Sequence, residues 1–456
     1  MTVIGCWAAD GFVGVMKRTF KIVTLGCKVN QYESAYLQQR LEQKGWTAAA
    51  PDETSRVTIV NTCIVTQAAS HQSRQEIRKA IRAHPEGIVA AIGCYGQAFP
   101  EELRNIKGLR LIAGNVEKGK IVEVLSSPWG PGARMDFSQP FTRHMRFEAM
   151  NIRKIPGRSR AFVKIQDGCE SFCSYCIVPF ARGPYRSLPM QQVLGVMEEL
   201  SAEGYREVVL TGIHLGKYGT DLGNGGNLKT LLRAIGERKL PLRVRLSSLE
   251  PGEIDDELIE MVASEEWLCR HFHIPLQSGD DGILKRMSRT YSSRTFASLV
   301  KKIYETVPLV AIGADVMTGF PGEDEAAHTN SARLIESLPV SYLHVFPYSQ
   351  RPGTPAAGFP QQVPPEEKRR RAADLRSIGK RKKQAFYNRC KDALLQVVAE
   401  GWHSEGNEFL KGVSDNYVSV LFPFCGAMQN QFYTVRIEKV ISGHAVGRPV
   451  PFFPQP

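Results

Sequence analysis

Three runs near the amino terminus, KIVTLGC, VTIVNTC and IVAAIGC, each carry β-branched and other apolar residues into a small residue and then a cysteine: Cys27, Cys63 and Cys94. Such runs read as strands buried on both faces, the pattern of a parallel sheet. In an open α/β sheet, ligands gather at the carboxyl ends of the strands. A fold that keeps these strands parallel therefore brings three thiols to one sheet edge. One cysteine in such a place is unremarkable, because free cysteine is among the most buried residue types. Three in the same place favour a shared ligand.

A second group is local. Cys169, Cys173 and Cys176 form a C-x3-C-x2-C knot inside GCESFCSYCIVPFARG. A cubane iron–sulfur cluster usually takes four cysteines, so three leave one iron with an open position. An open position separates a reactive metal site from a structural one. Zinc is the alternative ligand, but it calls for a fourth Cys or His at close spacing. His214 lies too far downstream to belong to the motif, so spacing favours the cluster.

The knot followed by IVPFARG is similar to the radical S-adenosylmethionine (SAM) motif of the methylthiotransferase family. GCKVNQYES (Gly26 to Ser34), NTCIVT (Asn61 to Thr66) and GCYGQ (Gly93 to Gln97) resemble that family's amino-terminal domain, in family order, and the likeness runs from Arg18 to the C-terminus. Family members acting on isopentenyl-adenosine in tRNA usually carry GCQMN at the first cysteine, and those acting on a ribosomal protein GCPKN. Lys28-Val29-Asn30-Gln31, with Thr66 and SRQEIR (Ser73 to Arg78), is instead similar to the branch that modifies threonylcarbamoyladenosine beside the tRNA anticodon.

The resemblance implies two [4Fe-4S] clusters and SAM as cofactors. The knot cluster would cleave SAM to a deoxyadenosyl radical, and the cluster on the dispersed trio would hold the sulfur that a second SAM methylates. The expected function is insertion of a methylthio group at C2 of N6-threonylcarbamoyladenosine 37. The alternatives are methylthiolation of isopentenyladenosine or of a ribosomal protein side chain and, more remotely, a non-catalytic iron–sulfur RNA-binding protein. The last would need saturated clusters, against which the three-cysteine counts argue. The chemistry is borne by the cofactors, so no side chain is assigned a catalytic role. The implied partners are the tRNA anticodon stem-loop, an electron donor and a sulfur source.

Length and patterning give the rest. A chain of 456 residues, 43% hydrophobic, can hold about two to four domains. From Arg18 to Leu125 strands and helices alternate, as in a doubly wound α/β domain. Residues 1–17 read as an extension, with Cys6 outside either site. The Pro/Gly-rich stretch from Ser126 opens a linker, 126–154.

Six further strand candidates, AFVKIQDGC, EVVLTGIHLG, RVRLSS, HFHIPLQSG, VAIGADVMTGFPG and YLHVFPYS, alternate with helical stretches. They predict a partial (β/α)6 barrel across 155–390, the radical SAM core, whose chemistry sits at the carboxyl ends of its strands. A basic helix over Gln361 to Lys391 closes that segment, either solvated or facing RNA. Short alternating runs over 391–456 suggest a small β-barrel of oligonucleotide-binding (OB) style, by resemblance a TRAM domain. Its aromatics Phe422, Phe424, Phe432 and Tyr433 are either core or base-stacking platforms. The whole is an α/β multidomain chain.

Candidate SAM contacts follow from places at barrel strand ends: Thr211 and Gly212; Ser247, Ser248 and Glu250; Gln277 and Ser278; and Asp315 with Gly319. Tyr175, before the last knot cysteine, is where the family puts an aromatic side chain near adenine. His214, His271 and His273 are assigned to no metal. A net charge of +12 suits a polyanionic partner. No apolar stretch approaches the roughly 20 residues that span a bilayer. Ten cysteines in cluster spacing, rather than a disulfide framework, point to the reducing cytoplasm.

Overall fold

The structure is a computed structural model that describes residues 18–450 apart from 51, 117, 131, 143–144, 153–156, 224, 404–408, 424–428 and 442. Cys6 and Phe424 lie outside the described residues.

The first unit is a six-stranded sheet of β1 (Thr19–Thr24), β2 (Thr47–Ala48), β3 (Val57–Thr62), β4 (Ile88–Gly93), β5 (Leu111–Ala113) and β6 (Met135–Phe137). Its order is β2-β1-β3-β4-β5-β6, with every pair parallel. The cysteine-ending runs are β1, β3 and β4, adjacent in the sheet. β4 is buried along its whole length, as its unbroken apolar run requires. In this strand order the topological switch point falls between β1 and β3, where a crevice opens at the carboxyl ends. β6 falls within the segment read as a linker. Its Pro and Gly residues bound a short edge strand, and Glu148 further on accepts the backbone N–H groups of Lys118 and Gly119.

The second unit carries β7 (Ala161–Lys164), β8 (Gln166–Asp167), β9 (Arg186–Ser187), β10 (Glu207–Thr211), β11 (Arg243–Leu246), β12 (His271–Gln277), β13 (Ala311–Thr318) and β14 (Tyr342–Pro347). β8 and β9 form a small antiparallel pair; the other six are the strands expected of the partial barrel. They run parallel in two sheets, β11-β10-β7 and β12-β13-β14, bridged at Val244 and Leu268. Among the described residues β7 and β14 do not pair, which leaves the barrel open. Polar caps start several of the helices between strands: Asn227, Asp255, Ser292 and Asp324 each accept a backbone N–H of the first turn.

The basic segment forms the helix Pro365–Arg389 and packs on β14. Arg371 pairs with Glu323 at 3.0 Å and Arg381 with Glu336 at 2.6 Å, while Lys382 donates to the Glu336 and Leu338 carbonyls. Much of its charge is thus spent within the chain.

The third unit is a closed barrel of β15 (Leu394–His403), β16 (Phe409–Ser414), β17 (Ser419–Pro423), β18 (Phe432–Ile441) and β19 (His444–Pro449), in the order β15-β16-β17-β19-β18. It sits against the amino-terminal ends of the second unit's strands. Arg243 donates to the Gln396 and Val413 carbonyls, and Arg245 to those of Ser414 and Asp415. Of the described aromatics Phe422 is core, while Phe432 and Tyr433 are partly exposed. Phe422 is fully buried, Tyr433 packs on it at 5.5 Å, and Phe432 lies under the Arg243 guanidinium. A barrel this small needs its large side chains as filling. Among the described residues no helix is long and apolar enough to cross a membrane.

Candidate metal centres

The dispersed trio is assembled by topology. Cys27 caps the helix Lys28–Gln43, Cys63 follows β3, and Cys94 opens the short helix after β4. The approach is close enough to demand glycine. Gly26 has φ +95, and a Cβ there would lie 2.8 Å from Cys63 Cβ and 2.9 Å from its Sγ. Gly93 has φ +92, and its Cβ would meet Asn61 Oδ1 at 2.6 Å. Both glycines leave space that a side chain would fill. Burial pushes the Cys63 thiol up to about 11, with Cys94 and Cys27 close enough to add to the effect. Cys27 is solvent-exposed, but the protein around it also raises its thiol, against the pull of Arg182. Asn115 Nδ2 donates to Cys94 Sγ at 3.4 Å.

The knot lies past the carboxyl end of β8. Arg289 Nη1 donates to Cys173 Sγ at 3.2 Å and also pairs with Glu250. His214 Nδ1 lies 3.5 Å from Cys169 Sγ, and its Nε2 lies 2.6 Å from Glu253. Distant in sequence, His214 is adjacent in space. Burial opposes its charge, but Cys169 and Glu253 outweigh this and hold the ring up at about 9. Burial likewise works against the Cys169 thiolate, but His214 and Ser171 bring it below the usual thiol value. Burial raises Cys173 and pushes Cys176 up to about 12. A cavity of about 400 Å³ opens here, lined by Cys173, His214, Glu250, Glu253, Arg289 and Tyr291 among others. Each site thus offers three thiols, a positive neighbour and an N–H donor to sulfur, a donor set that fits an anionic iron–sulfur cluster.

The strand-end candidates divide. Glu250 joins the knot cavity. Tyr175 packs edge-on to Phe320 at 6.4 Å, and burial raises its hydroxyl well above the ordinary value. Thr211 is buried at the end of β10, and a Cβ on Gly212 would strike Gln166. Ser247 Oγ and Gln277 Oε1 are buried without a partner, free for a ligand, whereas Ser248 is exposed. Ser278 is fully buried against Ser331 and the Asp280 amide, which gives it a structural task. Asp315 is apart from these. It sits mid-strand, 2.8 Å from His273 Nε2 and 3.3 Å from His344 Nδ1.

The sequence did not single out the contacts that join the two sites. Arg182, shortly after the knot, donates to Glu33 at 2.6 Å and to Asn30 Oδ1 at 2.5 Å. Asn30 Oδ1 lies 3.9 Å from Cys27 Sγ. Asn115, beside Cys94, also donates to the Ala181 carbonyl at 2.7 Å. Ile177 and Ala181 share an apolar cluster with Cys94. Glu33 further accepts from Lys118 and from Lys164 at 3.1 Å. Burial disfavours its charge, yet Arg182, Lys118 and Lys164 hold its carboxyl well below the usual range. The only signal for Arg182 lay in the IVPFARG tail of the knot. Arg289 and Asn115 carry none, since their partners are remote in sequence.

The first two units match known families. Residues 19–114 match the family described as "Uncharacterized protein family UPF0004", and residues 163–335 match the radical SAM superfamily. The threonylcarbamoyladenosine tRNA methylthiotransferase MtaB of Bacillus subtilis is 35% identical over 91% of this chain and 93% of its own. The tRNA-2-methylthio-N(6)-dimethylallyladenosine synthase of Thermotoga petrophila is 30% identical over 94% of this chain and 97% of its own. Among solved structures, the radical SAM methyltransferase TsrM of Kitasatospora setae aligns with a TM-score of 0.56 at 17% identity, over 75% of this chain and 77% of its own, a likeness of fold. With its amino-terminal cysteine sheet, its radical SAM barrel and relatives this similar along nearly their full length, the chain belongs to the radical SAM methylthiotransferase family.

Proposed function

We propose that this protein replaces the C2 hydrogen of N6-threonylcarbamoyladenosine 37 in tRNA with a methylthio group, using two [4Fe-4S] clusters and SAM. The observation that carries this is the pairing of two three-thiol sites across one buried seam, formed by Asn30, Glu33, Asn115 and Arg182. When bound, the cofactors supply a hydrogen-abstracting radical at the knot and the sulfur at the trio. Cys169, Cys173 and Cys176 hold one cluster; Cys27, Cys63 and Cys94 hold the other. Glu250 and Arg289 line the space beside the knot where SAM fits, with Ser247 and Gln277 offering unpartnered polar atoms. The seam ties the residues around the trio to the short segment that follows the knot. The chemistry calls for an electron donor and a sulfur source, and the thiols for a reducing compartment. The substrate base is supported by the relative named for threonylcarbamoyladenosine and by Lys28-Val29-Asn30 at the first cysteine.

The test is mass spectrometry of tRNA nucleosides from a deletion strain with and without the gene restored. The methylthio derivative of threonylcarbamoyladenosine should vanish and return. Its persistence, or loss of methylthio-isopentenyladenosine in its place, would overturn the assignment.

A further inference from the structure

Within the open barrel, β12, β13 and β14 turn His271, His273, Asp315, Tyr342 and His344 to the inner face, while the alternate residues Phe272, Ile274, Ile312, Ala314, Leu343 and Val345 pack into the surrounding core. Three of the inward residues converge. Asp315 stands directly opposite His344 in the register of β13 and β14, and His273 lies diagonally across on β12, two residues before Pro275, which pairs with Asp315. His273 Nε2 is 2.8 Å and His344 Nδ1 3.3 Å from the same carboxylate oxygen, Oδ1 of Asp315. One donor atom from each of the three side chains lies within 4.8 Å of the other two. Donors about 2.0–2.2 Å from a zinc ion stand roughly 3.0–3.5 Å from one another, so these side chains already hold nearly the spacing of a ligand set. Two imidazoles and one carboxylate are a donor set for a divalent transition-metal ion.

The surroundings fit as well. Tyr342 Oη lies 3.1 Å from His273 Nδ1 and 2.7 Å from His271 Nε2, so the nitrogen of His273 that faces away from Asp315 has its own partner and the ring is held in place. The middle strand makes room for that phenol with Gly313, where a Cβ would strike the Tyr342 ring. Burial opposes the charge of Asp315, yet hydrogen bonds from His273 and His344 hold its carboxyl below the usual range, so it meets a cation as an anion. The side chains of His273, Asp315 and His344 are 9%, 25% and 60% exposed, a gradient that gives an ion a path in from the lumen. We propose that His273, Asp315 and His344 form a binding site for a divalent ion of the zinc type, distinct from the two three-thiol sites. Three protein ligands leave at least one position open, as in zinc sites that take an exchangeable oxygen ligand. Each residue sits on its own strand and the three share no local spacing, which is why the sequence pointed to no metal at His273.

The test is equilibrium dialysis of the holoprotein against micromolar zinc, followed by elemental analysis. Both clusters are kept in place so that no cluster thiol competes for the ion. The wild-type protein should take up one zinc per chain with its iron unchanged. His344→Ala, a change at an exposed side chain, and Asp315→Asn should each lose that zinc and keep the iron. Tyr342→Phe should weaken zinc binding by roughly ten- to a hundredfold, the usual cost of losing the hydrogen-bond partner behind a ligand. No zinc on the wild-type protein, or equal uptake by wild type and His344→Ala, would overturn the inference. Anomalous scattering on either side of the zinc edge, from crystals of the wild-type holoprotein, needs no variant, so misfolding cannot mimic its result. A peak between His273, Asp315 and His344 supports the site, and a peak only at the cysteines overturns it. If the wild-type protein holds no zinc but His344→Ala loses affinity for the anticodon stem-loop, these side chains serve the substrate by hydrogen bonding alone and the metal site falls.

Discussion

The two cysteine sites hold the same number of thiols but are built in opposite ways. The knot gathers Cys169, Cys173 and Cys176 within one loop, so almost any conformation of that loop keeps them close. The trio exists only because β1, β3 and β4 lie side by side and in parallel, with Gly26 and Gly93 in backbone conformations that spare room for Cys63 and Asn61. A local site can survive damage to its domain; an assembled one reports on the domain's fold. Their surroundings differ as well. The knot has charged partners at sulfur, Arg289 and His214, whereas the hydrogen bond to Cys94 comes from the neutral amide of Asn115.

Cysteine replacement breaks the comparison most completely. The triple variant of Cys27, Cys63 and Cys94 to alanine should form no methylthiolated nucleoside yet still cleave SAM reductively. The same change at Cys169, Cys173 and Cys176 should abolish both. Each variant should lose roughly half the iron of a protein carrying two four-iron clusters. A folded trio variant, checked by circular dichroism, that still makes methylthiolated tRNA would end the division of labour.

Truncation before residue 391 should damage the knot's unit more than the trio's. It strips Arg243 and Arg245 of four carbonyl acceptors, and a hydrogen bond from a charged group is worth about 1.5–3 kcal/mol. Limited proteolysis should show the residues around Arg243 opening first, while the amino-terminal sheet resists. A truncated protein with an unchanged unfolding midpoint would show that the small barrel is only appended.

The seam between the sites gives the next effect. Glu33→Gln leaves Lys118, Lys164 and Arg182 buried without their shared anion, a loss of about 3–5 kcal/mol in denaturant unfolding. The pH dependence has a definite sign. Because its folded pKa is depressed, Glu33 contributes stability that is present above the unfolded carboxylate value of about 4.3. That contribution is lost as pH falls through the lower folded value. The variant should therefore show a flatter stability curve in acid. An equally steep curve would assign acid unfolding elsewhere, with Glu207, held low by Arg245, Arg243 and Arg160 against its burial, as the next group to test.

What the sequence revealed follows the same local-versus-assembled line. The knot was legible from spacing, and the trio from three repeats of one strand ending. The barrel strands were legible because each is an apolar or alternating run. Arg289, Asn115 and the Glu33 seam were not, because a polar residue carries no periodic mark of its partner: Arg289 meets Cys173 from 116 positions away and Glu33 meets Arg182 from 149. His214 was set aside on sequence distance, which barrel topology cancels, because the ends of β8 and β10 converge. The C-terminal aromatics stayed open between two readings for a similar reason: composition cannot tell a stacking platform from the filling of a small barrel.

The smallest expected effect sharpens the contrast at sulfur. Reduction adds negative charge to a cluster, so any cation or N–H donor at a ligating sulfur makes reduction easier, and its removal lowers the potential. Arg289→Met takes away a charged donor from Cys173 and leaves Glu250 without its partner, and both changes act in the same direction. A charge-assisted hydrogen bond of about 1.5–3 kcal/mol corresponds to roughly 60–130 mV for one electron. Asn115→Leu removes a neutral donor from Cys94, for which about 0.5–1.5 kcal/mol gives roughly 20–60 mV. Potentiometric titration followed by electron paramagnetic resonance can resolve the two clusters in one sample. Arg289→Met should lower only the knot's potential and Asn115→Leu only the trio's, by the smaller amount. Because Asn115 also donates to Ala181, a shift of both clusters in Asn115→Leu would mean that the seam couples them electrically as well as mechanically. Equal shifts from the two variants would show that the charge on Arg289 is screened before it reaches the sulfur, and the two sites would then differ in assembly alone.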